Sequence, residues 1–230
     1  MTLHYHGTPI TPRSVLHTLA GKCFCVRYGA HGDLDWCVEH GQSVMLDNGA
    51  FSFWRRGVAT DWNGYMDWCE PLLDAHTTWA VIPDVIDGDA HDNDRLIRGW
   101  EDRGLPRGAP VWHMHEAIDR LLKLCGIWER VCIGSSGQYA TVGDDAWRRR
   151  MDEAMNELCA FGPAPTWLHM LRGMSLSADE YPFASVDSTD VARNHNRPGQ
   201  TARGMADRWD SLQPAARWVR REQLQLGEAA

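Results

Sequence analysis

The sequence has no apolar run close to the roughly 20 residues that a membrane-spanning helix needs. Its first residues, MTLHYHGTPITPR, have neither the basic start nor the apolar core of a secretory signal. It also has no low-complexity linker and no internal repeat. We therefore expect a cytoplasmic protein without membrane contact.

The sequence also lacks the patterns that mark common metal and phosphate sites. Its seven cysteines are odd in number and scattered, which disfavours a disulfide framework. Cys23 and Cys25 flank one residue, but no second close pair follows, which disfavours a structural zinc site. There is no HExxH, no GxGxxG and no Walker loop, since the GSSG run at 134–137 lacks the required lysine. We expect neither a metal nor a cofactor.

The composition fits one ordered domain over residues 1–230. Hydrophobic residues make up 43% and charged residues 23% of the chain, which suits a well-filled core and disfavours general disorder. The formal net charge of -8 argues against a generally basic nucleic-acid-binding protein. Between residues 190 and 221, however, seven arginines outnumber three aspartates. This segment is either a solvated helix face or a rim that contacts phosphate groups.

Short apolar runs alternate with helix-like stretches along the chain. Runs rich in Val, Ile and Leu, bounded by glycine or polar residues, are typical of buried parallel strands. The predicted strands are 23–28, 43–47, 79–84, 110–115, 130–135, 166–172 and 183–188. Helical spacing covers 62–75, 92–103, 116–125 and 144–161, and an arginine-rich helical segment is expected at about 198–226.

Strand-then-helix units of this kind predict an α/β fold, namely a compact (β/α)8-type TIM barrel. Its eighth strand is either irregular and near the N-terminus or missing. An open, doubly wound parallel sheet is the alternative. In both folds ligands bind at the carboxyl ends of the strands, where three apolar runs end near Asp47, Asp84 and Asp187. Several acids at one end of a barrel predict an enzyme site.

Polar residues of other types also fall at predicted strand ends. They are Asn48, His113, His115, Ser135, His169, Arg172 and Ser188. His113 and His115 flank Met114, so both point to one face of a strand. Each histidine is either a hydrogen-bonded core residue or part of a site. His113, His115 and His169 with an acid also fit a metal cluster, although their spacing is generic.

Five segments follow one another in the order of a known family. They are LDNGAFSF, VIPDVIDGD, CIGSSGQY, WLHMLRGM and FASVDSTDVARN. This series resembles the tRNA-guanine transglycosylase superfamily, and most of all its phage and bacterial branch that inserts 7-deazaguanines into DNA. The resemblance covers about residues 43–196. It implies a (β/α)8 barrel that exchanges guanine for a 7-deazaguanine such as preQ0 without breaking the backbone. For a phage protein, the host cytoplasm is the expected location.

The resemblance also assigns roles to residues of this chain. Asp187 corresponds to the nucleophile, and Asp47 corresponds to the general acid/base that contacts the base. Asp84 corresponds to the aspartate that reads the base. The other residues that the resemblance places at the site are Gly134, Ser135, Met170 and Asn194. Asn48 and Ser188 are expected to bind the substrate because they lie at strand ends. The histidines orient the acids or bind the sugar-phosphate, and both options stay open.

The polymer is expected to be DNA, with RNA as the second choice. Flanking phosphates would be held by Arg172, Arg193, Arg197 and Arg203. The tRNA enzymes carry a C-terminal zinc subdomain with closely spaced cysteines, whereas this chain has no cysteine after Cys159, so no zinc subdomain is expected. The family places its nucleophile within Phe-Asp-Cys-Val, whereas this chain has Phe-Ala-Ser-Val followed by Asp187. A homodimer or a partner protein is compatible with the resemblance.

Three other functions fit the same residues. A metal-dependent barrel hydrolase or lyase would use His113, His115, His169 and an acid. A non-catalytic barrel would bind nucleic acid without releasing a base. An N-glycosidase would act on free nucleosides rather than on a polymer.

Overall fold

The computed structural model describes residues 1–162 and 167–221. In that part of the chain, nine parallel strands form one nearly closed barrel with helices between them. The strands are β1 (Leu3–Gly7), β2 (Cys23–Arg27), β3 (Ser43–Asp47), β4 (Thr78–Val81), β5 (Gly108–Ala109), β6 (Val111–His113), β7 (Arg130–Gly134), β8 (Trp167–Met170) and β9 (Ser185–Ser188).

The barrel has one seam, and the chain itself crosses it. The strand order is β5-β4-β3-β2-β1-β9-β8-β7-β6, so the two end strands, β5 and β6, are separated only by Pro110. Before the proline, the carbonyl of Ala109 accepts the N–H of Ile82 at 2.9 Å. At the proline, the carbonyl of Pro110 accepts the N–H of Cys132 at 2.8 Å. The segment thus changes partner where proline has no N–H to donate, and the nine strands fill eight positions of a barrel.

In the described part of the chain, α-helices lie between successive strands, except at the Pro110 link between β5 and β6 and at the connection between β8 and β9. The helices are α1 (Arg13–His17), α2 (Leu34–His40), α3 (Ala50–Arg55), α4 (Trp62–Cys69), α5 (Ala90–Asp102), α6 (Ile118–Ile127), α7 (Asp145–Phe161), α8 (Asp190–Asn194) and α9 (Ala202–Ser211). Asp61, Asp89, Asp144 and Thr201 cap helix N-termini by accepting a backbone N–H. Between β8 and β9, the described part of the chain forms only a short 3₁₀ helix, Met174–Leu176.

Side chains alternate between two apolar layers because successive strand residues point to opposite faces. One layer lies between strands and helices and includes Phe24, Leu46 and Met170. The other fills the barrel interior and includes Tyr5, Cys25, Met45, Trp79 and Cys132. Each fully buried large side chain contributes roughly 1.5–3 kcal/mol to stability.

The amino end of the barrel interior is filled by aromatic rings. The indole N–H of Trp79 donates to the Tyr5 hydroxyl at 2.9 Å. The guanidinium carbon of Arg130 lies 4.4 Å from the Trp79 ring centre and 4.9 Å from the Trp167 ring centre. These contacts close the interior below the carboxyl ends of the strands.

The predicted barrel is confirmed, and the open doubly wound sheet is wrong. The eighth strand is β1, close to the N-terminus as expected. The C-terminal helical segment was predicted too long, because α9 ends at Ser211. Pro214 disfavours helical backbone at the residue before it, which explains the early end. Thr166 and residues 222–226 of the predicted elements lie outside the described residues. In the described part of the chain, no helix has the length and apolarity to cross a membrane.

Candidate active site

A cavity of about 850 Å³ opens at the carboxyl ends of the barrel strands. Residues in, or directly after, the strand at every position of the barrel reach it. Three acids, Asp47, Asp84 and Asp187, line it together. Other residues predicted from the sequence that line it are Asn48, His113, Gly134, Ser135, Arg172, Ser188 and Arg193.

Asp47 is the last residue of β3, and a tight turn follows it. Its Oδ1 accepts the N–H of Gly49 at 3.0 Å, and Gly49 has a left-handed φ of 75° before α3 begins. Burial, and to a smaller extent the nearby carboxylates of Asp187 and Asp84, raise the pKa of Asp47 to about 6, although the N–H of Gly49 lowers it. Asp47 can therefore both donate and accept a proton near neutral pH.

Asp187, in β9, is only 9% exposed and is held by two donors. Its Oδ1 accepts the backbone N–H of Arg172 at 2.7 Å and lies 3.3 Å from Nε2 of His169. Both contacts reach Oδ1, so Oδ2 has no protein donor among the described residues. Arg172 adopts a left-handed φ of 59°, which turns its N–H towards the acid.

A buried hydrogen-bond chain supports Asp187 from behind. The indole N–H of Trp167 donates to Ser185 Oγ at 2.6 Å, and Ser185 Oγ lies 2.7 Å from His169 Nδ1. Since Asp187 accepts, Nε2 of His169 carries the proton, and Nδ1 accepts the Ser185 hydroxyl. Burial lowers the pKa of His169, which keeps the ring neutral. His169 does not line the cavity, so it positions Asp187 rather than touching a ligand.

Asp84 sits just beyond β4, between two other cavity residues. Its Oδ1 accepts the side-chain N–H of Asn48 at 2.7 Å, and its Oδ2 lies 3.0 Å from Nε2 of His113. Burial lowers the pKa of His113, but Asp84 and the nearby Glu116 outweigh this and raise it above its ordinary value. Glu116 also accepts the backbone N–H of His113 at 2.9 Å. This network fixes Asp84 with its carboxylate available on one side of the cavity.

Gly134 and Ser135 follow β7 and bring the backbone close to the cavity. A side chain at Gly134 would place Cβ 3.1 Å from the His113 ring, which explains the glycine. The Ser135 hydroxyl accepts the indole N–H of Trp147 at 2.9 Å. What these residues offer a ligand is therefore mainly their backbone groups.

Five arginines surround the mouth of the cavity. They are Arg27, Arg55, Arg56, Arg172 and Arg193. Among the described residues, none of the five forms an ion pair with a carboxylate, whereas arginines elsewhere, such as Arg120 and Arg148, do. The cavity thus combines an acidic interior with a basic mouth.

Sequence reasoning missed four residues of the mouth. Arg27 ends a strand that the sequence predicts correctly, so its position carried a usable signal. Phe51, Arg55 and Arg56 belong to or follow α3, whose six residues show no clear helical stripe. The sequence after LDNG therefore gave no sign that this helix lines the mouth of the cavity.

Several predicted site residues do not line the cavity. His115 is directed to Ser136, with Nδ1 at 2.7 Å from its hydroxyl oxygen. Met170 lies in the outer layer because it alternates with His169 on β8, and Leu171 lines the cavity instead. Asn194 donates to Asp190 at 2.6 Å. Arg197 is exposed away from the cavity lining.

Arg203 was predicted to bind phosphates with the other arginines, but the structure does not bring it to the cavity. Its Nε lies 3.0 Å from Asp207 Oδ1, one turn later on α9. Its Nη1 lies 3.4 Å from the carbonyl oxygens of Thr18 and Ala20, just before β2 begins. Arg203 is therefore at the amino end of the barrel, opposite the cavity.

The three histidines of the alternative metal hypothesis have separate partners. His113 faces Asp84, His115 contacts Ser136, and His169 lies between Ser185 and Asp187. Within residues 1–162 and 167–221, no group of three or more His, Cys, Asp or Glu side chains is arranged to hold a metal ion.

The arrangement can carry out nucleophilic and acid–base chemistry. Among the described residues, one oxygen of Asp187 accepts hydrogen bonds and the other has no donor. In the same cavity, the pKa of Asp47 is about 6. Comparison with protein-family models, with curated proteins and with solved structures found no match.

Proposed function

We propose that this protein exchanges guanine in DNA for a 7-deazaguanine base through a covalent aspartyl–glycosyl intermediate. The observation that carries the proposal is the shared cavity of Asp47 and Asp187, with Asp84 beside them and arginines at its mouth. The motif order noted above supplies the choice of base. Paired carboxylates on one cavity suit cleavage of a glycosidic bond.

In the first half of the reaction, an oxygen of Asp187 attacks C1′ of the deoxyribose. The C1′–N9 bond breaks, its electron pair goes to the departing guanine, and protonated Asp47 supplies the proton. In the second half, the entering base gives a proton to the Asp47 carboxylate. Its nitrogen then attacks C1′, and the bond to Asp187 breaks with its electron pair returning to the carboxylate.

Recognition of the base falls to Asp84 and the backbone near Gly134. A carboxylate accepts the two N–H groups on the amidine-like edge of guanine, and backbone N–H groups suit its carbonyl oxygen. The apolar side chains of Met45 and Val81 also line the cavity and can contact a planar ring. A flat base with one donor edge and one acceptor edge suits these surfaces.

The arginines favour a polymer over a free nucleoside. Five guanidinium groups that have no carboxylate partner within the described ranges suit several phosphates, because arginine pairs with phosphate oxygens. Since the acids lie inside the cavity, the target nucleotide must leave its stack to reach them.

Nucleoside mass spectrometry tests the proposal. DNA is incubated with the protein and preQ0, then digested, and the nucleosides are separated. The expected result is a new deoxynucleoside with the mass of the preQ0 derivative and an equal amount of released guanine. Unmodified DNA with no guanine release would overturn the proposal, and turnover of free deoxyguanosine alone would replace it with a nucleoside glycosidase. RNA in place of DNA distinguishes the two polymers.

A further inference from the structure

The edge of the cavity formed by α3 carries an aromatic pair beside two of the mouth arginines. Phe51 lines the cavity, and Trp54 lies on its outer side with ring centres 5.9 Å apart and a tilt of 34°. Trp54 is 48% exposed, which is unusual for a side chain of this size. Its neighbours Arg55 and Arg56 line the mouth.

We propose that Trp54, supported by Phe51, is a stacking platform for the base next to the target nucleotide on the DNA strand. The proposal rests on the proposed function, because it needs a strand whose target base enters the cavity. Trp54 would contact the neighbouring base while Arg55 and Arg56 hold the phosphates on either side of that nucleotide. Combined aromatic faces and arginines are typical of surfaces that bind single-stranded nucleic acid.

Phe51 is held in place by cations, which makes it a firm support for Trp54. The guanidinium carbon of Arg172 lies 4.3 Å from the Phe51 ring centre, and that of Arg55 lies 5.8 Å from it. Arg172 also holds Asp187 through its backbone N–H. The same residue therefore contacts both Phe51, which supports the platform, and Asp187.

The charge around Trp54 identifies the occupant. An exposed aromatic ring among unpaired arginines is a poor match for an apolar protein surface, because docking there would bury several unpaired charges. A strand of DNA presents a flat base to the ring and phosphates to the guanidinium groups. Trp54 would contact the face of the stacked base and not the hydrogen-bonding groups at its edges, so the platform accepts any base.

The test uses a single-stranded oligodeoxynucleotide with one guanine and 2-aminopurine beside it, whose fluorescence falls when it stacks. We expect binding by the protein to quench the probe on one side of the guanine. Trp54→Ala should abolish the quenching and weaken binding about 10-fold or more, in line with the usual worth of one stacked base. Trp54→Phe should keep most of both effects because it retains an aromatic face.

Phe161→Ala is the matched control, since Phe161 is 55% exposed at the end of α7 that precedes β8, away from the mouth. It should behave as the unchanged protein. Equal quenching and affinity in Trp54→Ala would overturn the platform, even if base exchange is observed. Quenching that depends on Trp54 without any base exchange would instead retain the platform and reject the transglycosylase. Absence of oligonucleotide binding would reject both.

Discussion

Asp47 and Asp187 share a cavity, yet the surrounding residues treat the two carboxylates differently. One oxygen of Asp187 receives two donors, whereas Asp47 receives a single backbone N–H and is desolvated. Two acids whose surroundings differ in this way take different roles in catalysis. In the proposed reaction, Asp187, which is held by donors, is assigned as the nucleophile, and Asp47, with a pKa of about 6, is assigned as the proton carrier.

Asp187→Asn is expected to lower the exchange rate by roughly 10³-fold or more, because an amide oxygen is a poor nucleophile at C1′. The covalent protein–DNA adduct should also disappear from denaturing gels. Asn keeps a hydrogen-bond acceptor for Arg172, so the fold should survive. Asp35→Asn, at an exposed acid on α2, is the control and should exchange bases normally. Normal exchange by Asp187→Asn would contradict the assignment.

Asp47→Asn is expected to stabilise the protein at pH 8 but not at pH 4. Its pKa rises from 3.8 to about 6 on folding, so the folded state favours the protonated form and loses stability as pH climbs through this window. A shift of this size corresponds to about 3 kcal/mol at most, and partial exposure reduces it to roughly 1–2 kcal/mol. Urea denaturation at both pH values measures the difference.

The amide also accepts the Gly49 N–H, so the turn after β3 is kept in Asp47→Asn. The two proteins should differ by little at pH 4, where both side chains are neutral. If the variant is no more stable than the unchanged protein at pH 8, burial of the ionised Asp47 carboxylate does not destabilise the fold.

Among the elements, the turn between β3 and α3 positions both Asp47 and two arginines of the mouth, Arg55 and Arg56. Gly49 has a φ of 75°, and a Cβ there would lie 2.8 Å from the Phe53 ring. Gly57, just after α3, has a φ of 63° with nothing within 4 Å of its Cβ position. Alanine at Gly57 therefore tests the backbone strain alone, whereas alanine at Gly49 tests the strain together with a steric contact.

Gly57→Ala is expected to cost about 1–2 kcal/mol, the usual penalty for a left-handed alanine, and to leave base exchange unchanged. Gly49→Ala should cost more than Gly57→Ala and should slow exchange, because Phe53 and the start of α3 must shift. Urea denaturation and exchange rates measure the two effects. Equal losses in both variants would mean that the Phe53 contact is accommodated freely.

Elements with strong local signals could be predicted from the sequence, and those without them could not. The strand Ser43–Asp47 was predicted with its observed bounds, since its apolar run is clear. β4 ends at Val81 rather than at the predicted Asp84, because Pro83 cannot continue the ladder. The pair Gly108–Ala109 has no side chains typical of a strand, so β5 was missed.

The site was predictable only in part, for a related reason. A strand end marks Asp47, Asp84 and Asp187, because their apolar runs stop near them. The support of Asp187 by His169 and Ser185 depends on the pairing of β8 with β9. Arg203 was included because its segment is rich in arginine, and composition alone cannot tell which end of the barrel an arginine occupies.

For the whole molecule, a net charge of -8 coexists with a basic mouth around an acidic interior. A polyanion is thus attracted at one place and repelled elsewhere, which orients its approach. The affinity for DNA should depend strongly on salt, because bound phosphates release counterions.

Arg55→Gln combined with Arg56→Gln is expected to weaken DNA binding and to reduce the slope of log affinity against log salt by about 1.4–1.8. The matched control is Arg203→Gln with Arg208→Gln, which removes the same charge from α9 at the other end. Its slope should equal that of the unchanged protein. Fluorescence anisotropy over a salt series measures both, and an unaltered slope for the mouth variant would place the strand elsewhere.

The packed side chains of Tyr5, Trp79, Arg130 and Trp167 close the amino end of the barrel interior, and the cavity opens at the carboxyl ends of the strands. In the proposed reaction, the released guanine leaves through the same opening that admits the replacement base, while the covalently held strand lies across that opening. The first base must then leave before the second base can enter. Added guanine should compete with the 7-deazaguanine for the opening and restore the original base. The relative amounts of the two free bases should therefore decide which base the strand finally carries.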